Sequence, residues 1–225
     1  MFTNYMKGFS FEAAIGKKPP TPAPCWDQIY GKLDRGNFIP LNQLERKNIF
    51  YTLNGTQRTI ANKISNHSIV IILESPHKDE YKESGAANGP AFGPTGTCFN
   101  KHFKRLITAK DIGMGITTGV YDVILINAVQ YQCTFGETID SKFRDYNWLN
   151  CFEKGCAEDL ICRLEALQPE ILINACTKSD ANLQLAVHTT IFLHRAMGKT
   201  LFSKYIYGTH PITWTSKTET MRRKW

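Results

Sequence analysis

Four short runs of branched or aromatic apolar residues punctuate the chain, and each ends abruptly in polar, turn-forming residues. Residues 69–73 (Ile-Val-Ile-Ile-Leu) run into Glu74-Ser75-Pro76-His77, and residues 123–126 (Val-Ile-Leu-Ile) run into Asn127. Residues 171–173 (Ile-Leu-Ile) stop at Asn174, and Tyr205-Ile206-Tyr207 stops at Gly208-Thr209-His210-Pro211. Runs of this length without polar alternation predict strands buried on both faces. Helical spacing fills the intervals: residues 99–107 with Phe103, Leu106 and Ile107 inward, residues 148–167 ahead of Pro169, and residues 179–197 with Leu183, Val187 and Ile191. Strands alternating with helices predict an α/β fold of three α/β/α layers, with four parallel strands in the central sheet joined by right-handed crossovers. Ligands bind beyond the carboxyl ends of such strands, so Glu74, Asn127 and His210 are expected around one crevice.

Upstream the pattern is less regular. Leu41, Leu44, Ile49, Leu53, Ile60 and Ile64 lie closer to helical than to alternating spacing, with Asn54-Gly55 as an interruption, and predict two short helices. The stretch Lys17-Lys18-Pro19-Pro20-Thr21-Pro22-Ala23-Pro24 predicts a polyproline-like connector, because proline fixes φ and donates no backbone hydrogen bond. Residues 1–24 are therefore expected as an extended arm on a single domain spanning residues 1–225.

Composition narrows the class. A chain of 225 residues with 42% hydrophobic and 21% charged residues suits one folded domain. The net charge of +7 favours an anionic partner. Seven cysteines contain no C-x-x-C pair and no tight cluster with histidine, so neither a metal nor another cofactor is expected. With no apolar run of membrane length and no basic-then-apolar leader, the expectation is a cytoplasmic protein with reduced thiols and no membrane partner. The sequence leaves the oligomeric state open.

Ile72-Leu73-Glu74-Ser75-Pro76 resembles the first motif of the uracil-DNA glycosylase superfamily, G-E-A-P-G in its iron-sulfur members and G-Q-D-P-Y-H in the commonest ones. Gly89-Pro90-Ala91-Phe92-Gly93-Pro94-Thr95-Gly96 is similar to the G-x-P-F-x-G-x-x-G loop of the iron-sulfur members. Ile124-Leu125-Ile126-Asn127 resembles the L-L-L-N strand, residues 167–173 resemble L-x-P-x-x-I-I, and His210-Pro211 stands where the family has H-P-S. The five motifs occur in the family's order between Ser68 and Trp214.

The resemblance implies a uracil-DNA glycosylase-like fold and hydrolysis of the N-glycosidic bond of uracil or another modified pyrimidine in DNA, single- or double-stranded. Such an enzyme extrudes the base into a pocket that stacks on its face and reads its edge. By resemblance Phe92 is the stacking wall, with Phe99 in Gly96-Thr97-Cys98-Phe99 as the alternative, and Asn127 reads the pyrimidine edge. Glu74 handles water and positive charge at the sugar, and His210 donates to the departing base. Pro211 and Trp214 face the DNA, with Arg222 and Arg223 on phosphates.

The departures bear on activity. Ser75 stands at the position of the commonest members' catalytic Asp and is no general base. Leu73 replaces the motif's first glycine, and Ile212 the serine after His-Pro. The cysteines that hold the iron-sulfur cluster have no counterpart, so none is expected. Two other readings stay open: a catalytically silent nucleic-acid-binding module of the same fold, and an enzyme acting on free nucleosides or nucleotides.

Overall fold

A computed structural model of the chain describes residues 11–16, 23–54, 57–61, 64–65, 67–108, 115–134, 141–179, 181–214 and 221–223. The centre of the sheet is built from β6 (Ser68–Leu73), β7 (Val120–Asn127), β8 (Ile171–Asn174) and β9 (Lys204–Gly208). β6 pairs in parallel with both β7 and β8, and β8 with β9. Every residue of β6 and β8 is buried, as their unbroken apolar runs require.

The sheet is mixed rather than limited to four parallel strands. β1 (Gln28–Asp34) pairs antiparallel with β7, and β2 (Asn37–Pro40) and β3 (Lys47–Asn48) pair antiparallel with β1. On the far side β10 (Met221–Arg223) pairs antiparallel with β9. The β1–β2 turn is Arg35-Gly36, both at positive φ (46° and 76°), the backbone that matches a two-residue hairpin to the twist of its strands.

The two helices expected between residues 40 and 64 are corrected. The segment contains β3 and a hairpin of β4 (Tyr51–Asn54) and β5 (Gln57–Ile60), with Asn54 paired to Gln57 across the turn. Asn-Gly is a strong hairpin signal between residues of strand propensity, and here it outweighs an irregular apolar spacing.

Helices cover both faces. α2 (Pro94–Thr108) packs Phe99, Phe103, Leu106 and Ile107 against the face made by Ile69, Ile71, Val123 and Leu125. α3 (Ser141–Cys151), α4 (Ala157–Leu167) and α5 (Leu183–Ala196) pack on the opposite face over Val70, Ile72, Ile124, Ile126 and Leu172. The single helix expected over residues 148–167 is divided between α3 and α4 at Lys154-Gly155, where Gly155 has φ 137°, a conformation open to glycine and costly to other residues.

The arm expected at residues 1–24 includes a short helix, α1 (Phe11–Ile15), with Ala14 buried and its carbonyl accepting from Lys154 Nζ at 3.1 Å. Most of the proline-rich connector, residues 17–22, lies outside the described residues, as do residues 1–10. Among the described residues no helix is long and apolar enough to cross a membrane.

Candidate active site

The parallel strands end level with one another: Leu73 is opposite Asn127, Ile72 opposite Asn174, and Asn174 opposite Tyr207. Beyond these ends lies a cavity of about 400 Å³, within the range of small-molecule sites. Its floor and walls come from Leu73–His77 after β6, Asp79 and Glu80 in the following turn, Gly93–Thr95 at the start of α2, Thr134 after β7, Arg144 on α3, Thr177 after β8, and His210 and Ile212 after β9. Glu74, Ser75 and His210, named from sequence, thus meet at one site.

Glu74 is held from all sides. Its Oε1 is 3.2 Å from Arg144 Nη1, and its Oε2 accepts the Thr177 N–H at 3.2 Å. Its carbonyl accepts from Trp148 Nε1 at 2.8 Å and from the Val129 N–H at 2.9 Å. Burial works against charge on Arg144, but Glu74 and Asp145 outweigh it and push the guanidinium above its ordinary value. The carboxylate is a fixed negative charge rather than an unattached base.

His210 caps the turn Pro211–Thr213, its Nδ1 accepting the Ile212 N–H at 3.3 Å. A neutral ring with Nδ1 as acceptor carries its proton on Nε2. Burial lowers its pKa, Glu74 opposes this, and Arg144 adds to it. The ring is therefore disposed to act as a neutral N–H donor.

Glu80 carries no signal in the sequence. It is 5% exposed, and its Oε1 accepts the Ala91 N–H at 2.9 Å. Burial raises its pKa to about 8, against smaller lowering effects of Ala91, Cys25 and Asn127. Arg144 is equally silent. An arginine on a helix of low amphipathicity, far along the chain from Glu74, gives no local sign of its partner.

Three assigned residues do not reach the cavity wall. Asn127 is buried and outside the lining, its side chain close enough to Glu80 and Cys25 to favour their charged forms. Phe92 is half-buried beside Gly93 and is not part of the lining. Phe99, the alternative wall, is fully buried and stacks on Phe103 with ring centroids 4.5 Å apart. It is a core residue because helical spacing turns it onto the sheet.

Trp214, assigned to DNA from the sequence, lies inside the protein. It is 1% exposed, lies against Phe99 and Phe103, and donates from Nε1 to the Thr209 carbonyl at 3.0 Å. It braces the His210 segment from inside. Pro211 is buried beneath the same turn, while Ile212 is exposed at the cavity's edge. Arg222 and Arg223 lie on β10 opposite Tyr207 and Ile206.

Gly96 fixes the approach of α2 to the loop that carries Ala91. A Cβ at this position would overlap the Ala91 carbonyl oxygen, and Ala91 has φ 56° while its N–H holds Glu80. Gly96→Ala is expected to lower stability by about 1–3 kcal/mol, the usual cost of overpacking. Urea unfolding beside the native protein checks this, and an unchanged midpoint would show that the loop yields freely.

No protein-family model matches the chain, and no curated protein sequence matches it.

Proposed function

We propose that the protein is a DNA glycosylase that hydrolyses the N-glycosidic bond of uracil or another modified pyrimidine, on a uracil-DNA glycosylase-like version of the α/β fold. The observation that carries the reading is the meeting of Glu74 and His210 in one cavity, with His210 Nδ1 occupied by the Ile212 N–H so that Nε2–H is left to donate. The strand order β7-β6-β8-β9, all parallel, suits the same reading.

Cleavage of the bond leaves positive charge on the sugar and negative charge on the base. The fixed Glu74 carboxylate stabilises the first, and Nε2–H of His210 the second. Since both oxygens of Glu74 are engaged, its role is electrostatic, and it orders water only through its remaining lone pairs.

Charge supports an extruded base as the occupant. Among the described residues Arg144 is the one permanent cation in the lining and is paired with Glu74, while His77 Nδ1 lies 3.2 Å from Asp79 Oδ2. With Glu80 largely protonated below pH 8, no surplus of positive charge is left for a phosphate. That favours a neutral ring over the phosphate of a free nucleotide.

The silent-module reading keeps one observation in its favour: no phenylalanine, tyrosine or tryptophan lines the cavity among the described residues. A single-turnover excision assay separates the two. Labelled single- and double-stranded DNA containing uracil or other altered pyrimidines is incubated with native protein, Glu74→Ala, His210→Ala and Asn127→Ala. Excision by the native protein is expected to fall about 10²–10³-fold on removal of the His210 donor, and also to fall in Glu74→Ala. DNA binding without excision of any substrate would transfer the reading to the silent module.

A further inference from the structure

The cavity lining has no cation to spare for a phosphate, yet the chain carries a net charge of +7. A nucleic acid that delivers a base to the cavity is therefore held by its backbone elsewhere. Among the described helices α2 alone combines three permanent cations, Lys101, Lys104 and Arg105, with no acid, and all three are exposed. They continue a polar face that starts with the exposed Pro94 and Thr97 and recurs at helical spacing. His102 beside them is pushed below its ordinary value by burial and then by Lys101 and Arg105, as surroundings of one sign require. The turn after β6, in contrast, mixes Lys78 and Lys82 with Asp79 and Glu83.

α2 leads away from the cavity down the side of the domain. Its first residues, Pro94 and Thr95, line the cavity. At its other end Thr108 lies against Gly36 in the β1–β2 turn, and Asp34 before that turn pairs with Val120, the first residue of β7. The helix thus descends from the carboxyl ends of the parallel strands to their amino ends, with Lys101 about 9 Å and Arg105 about 15 Å along its axis from Thr95. The flanking hairpin brings Arg35, with Nε 3.9 Å from Asp34 Oδ1, and Asn37, whose Oδ1 accepts from Lys104 Nζ at 2.9 Å. Arg46, over the Tyr30 ring at 3.9 Å, reaches the same flank near Asn100, and its neighbour Glu45 accepts the Asn42 N–H.

We propose that the outer face of α2 is a track for the phosphates of single-stranded DNA, taking one flank of a strand whose base lies in the cavity. This rests on the glycosylase reading and names its substrate as single-stranded rather than duplex. A duplex is stiff over about 150 base pairs, so one laid across the cavity mouth does not turn down the side of the protein. A single strand makes that turn freely. The aromatic residues of α2, Phe99 and Phe103, are buried, so the face offers charge without a stacking platform. It holds the backbone and is indifferent to the sequence of the flank.

The test measures, against salt concentration, the binding of labelled oligonucleotides that carry one 2′-fluoro-deoxyuridine, whose glycosidic bond resists cleavage. Single strands with this nucleotide at the 5′ or the 3′ end, and their duplexes, are compared on three proteins. These are the native chain, Lys101→Gln with Lys104→Gln, and Arg195→Gln with Lys199→Gln, which removes the same charge at the end of α5 on the opposite face of the sheet. Excision of uracil from matching strands is followed in parallel. Native protein is expected to bind one of the two single strands at least about tenfold more tightly than its duplex. For that strand the Lys101 and Lys104 variant makes the slope of log K against log salt shallower by about 1.4, at roughly 0.7 for each lost contact, and weakens binding about 10–30-fold near 0.1 M salt. The control variant and the oppositely flanked strand change by less than about twofold. Lys101 and Lys104 are exposed, and the comparison of strands with duplexes on native protein needs no variant.

Duplexes bound as tightly as single strands, equal losses for both flanks, or a slope unchanged by the Lys101 and Lys104 substitutions would overturn the proposal. Binding of polyglutamate in place of DNA would also overturn it and assign the face to an acidic protein. Uracil excision that persists alongside any of these results leaves the glycosylase reading intact. Single-strand binding that depends on Lys101 and Lys104 in a protein without excision would do the reverse.

Discussion

Arg163→Ala is expected to be among the most destabilising single substitutions in the chain, costing about 3–5 kcal/mol, as removal of one partner from a buried ion pair does. Arg163 is fully buried on α4, and all three of its nitrogens donate. Nε donates to Asp159 at 2.8 Å, Nη1 to the Asp27 carboxylate at 2.9 and 3.1 Å, and Nη2 to the carbonyls of Asn127 and Ala128 at 3.0 and 3.2 Å. Burial opposes the charge, but Asp27 and Asp159 more than compensate and raise the arginine above its ordinary value. Asp27 is completed by Tyr51 Oη at 2.7 Å and Gln130 Nε2 at 3.0 Å. The alanine variant leaves two buried carboxylates without their cation and frees the end of β7. Urea unfolding measures the loss. Asp27→Asn should cost less, because the amide oxygen still accepts from Gln130 and Arg163 Nη1, and the Tyr51 hydroxyl can turn to accept from the amide NH2. A change within about 1 kcal/mol of native for Arg163→Ala, the range of an exposed pair, would mean that water enters and solvates the carboxylates.

This cluster marks the limit of what the linear pattern discloses. Asp159 and Arg163 are four apart on a helix and read as a pair, yet Asp27 is 136 residues away from Arg163 and nothing near it in sequence announces the contact. The parallel strands are legible because residues buried on both faces leave unbroken apolar runs. β1 and β2 are not, since β1 sets Gln28, Gly31 and Lys32 among its apolar residues and pairs with β7 far along the chain, while β2 buries only Phe38. The hairpin of β4 and β5 reads as helix only when six scattered apolar residues are given more weight than Asn54-Gly55.

The site divides in the same way. Glu74, Ser75 and His210 are legible because they follow strand ends directly, and the carboxyl ends of parallel strands converge. Phe99 and Trp214 match expectations of a binding face by position in a motif, but their rings satisfy the core first. Arg144 and Glu80 reach the cavity from a helix and a turn whose placement depends on tertiary packing. Glu80 also sits in a Lys78–Glu80 turn inside a segment rich in charge, where a solvated role is the ordinary expectation.

The contribution of Glu80 to stability should fall as the pH rises from about 5 towards 8, and Glu80→Gln should remove it. The folded carboxyl is raised from 4.5 to about 8, mainly by burial, so between these values the folded chain holds a proton that the unfolded chain releases. The raised acid is without penalty below its ordinary value and destabilises progressively as the pH approaches its folded value. At about 1.4 kcal/mol for each pH unit between the two values, the full effect is about 3–5 kcal/mol. His210 works in the opposite direction. Its pKa is lowered by burial, so the unfolded chain takes up a proton first and stability is lost as the pH falls below the ordinary histidine value. Below about pH 6.5 the two slopes therefore oppose one another, and the net fall of the native protein is steepest from about pH 6.5 to 8. Above about pH 9 the buried thiols of Cys25, Cys133, Cys156 and Cys176, all raised by burial, add a further decline that Glu80→Gln leaves in place. Urea unfolding of both proteins from about pH 5 to pH 8.5 isolates the glutamate. Parallel curves over that interval would mean that Glu80 ionises in the folded state much as it does in the unfolded chain, and that the cavity wall carries a carboxylate rather than an acid.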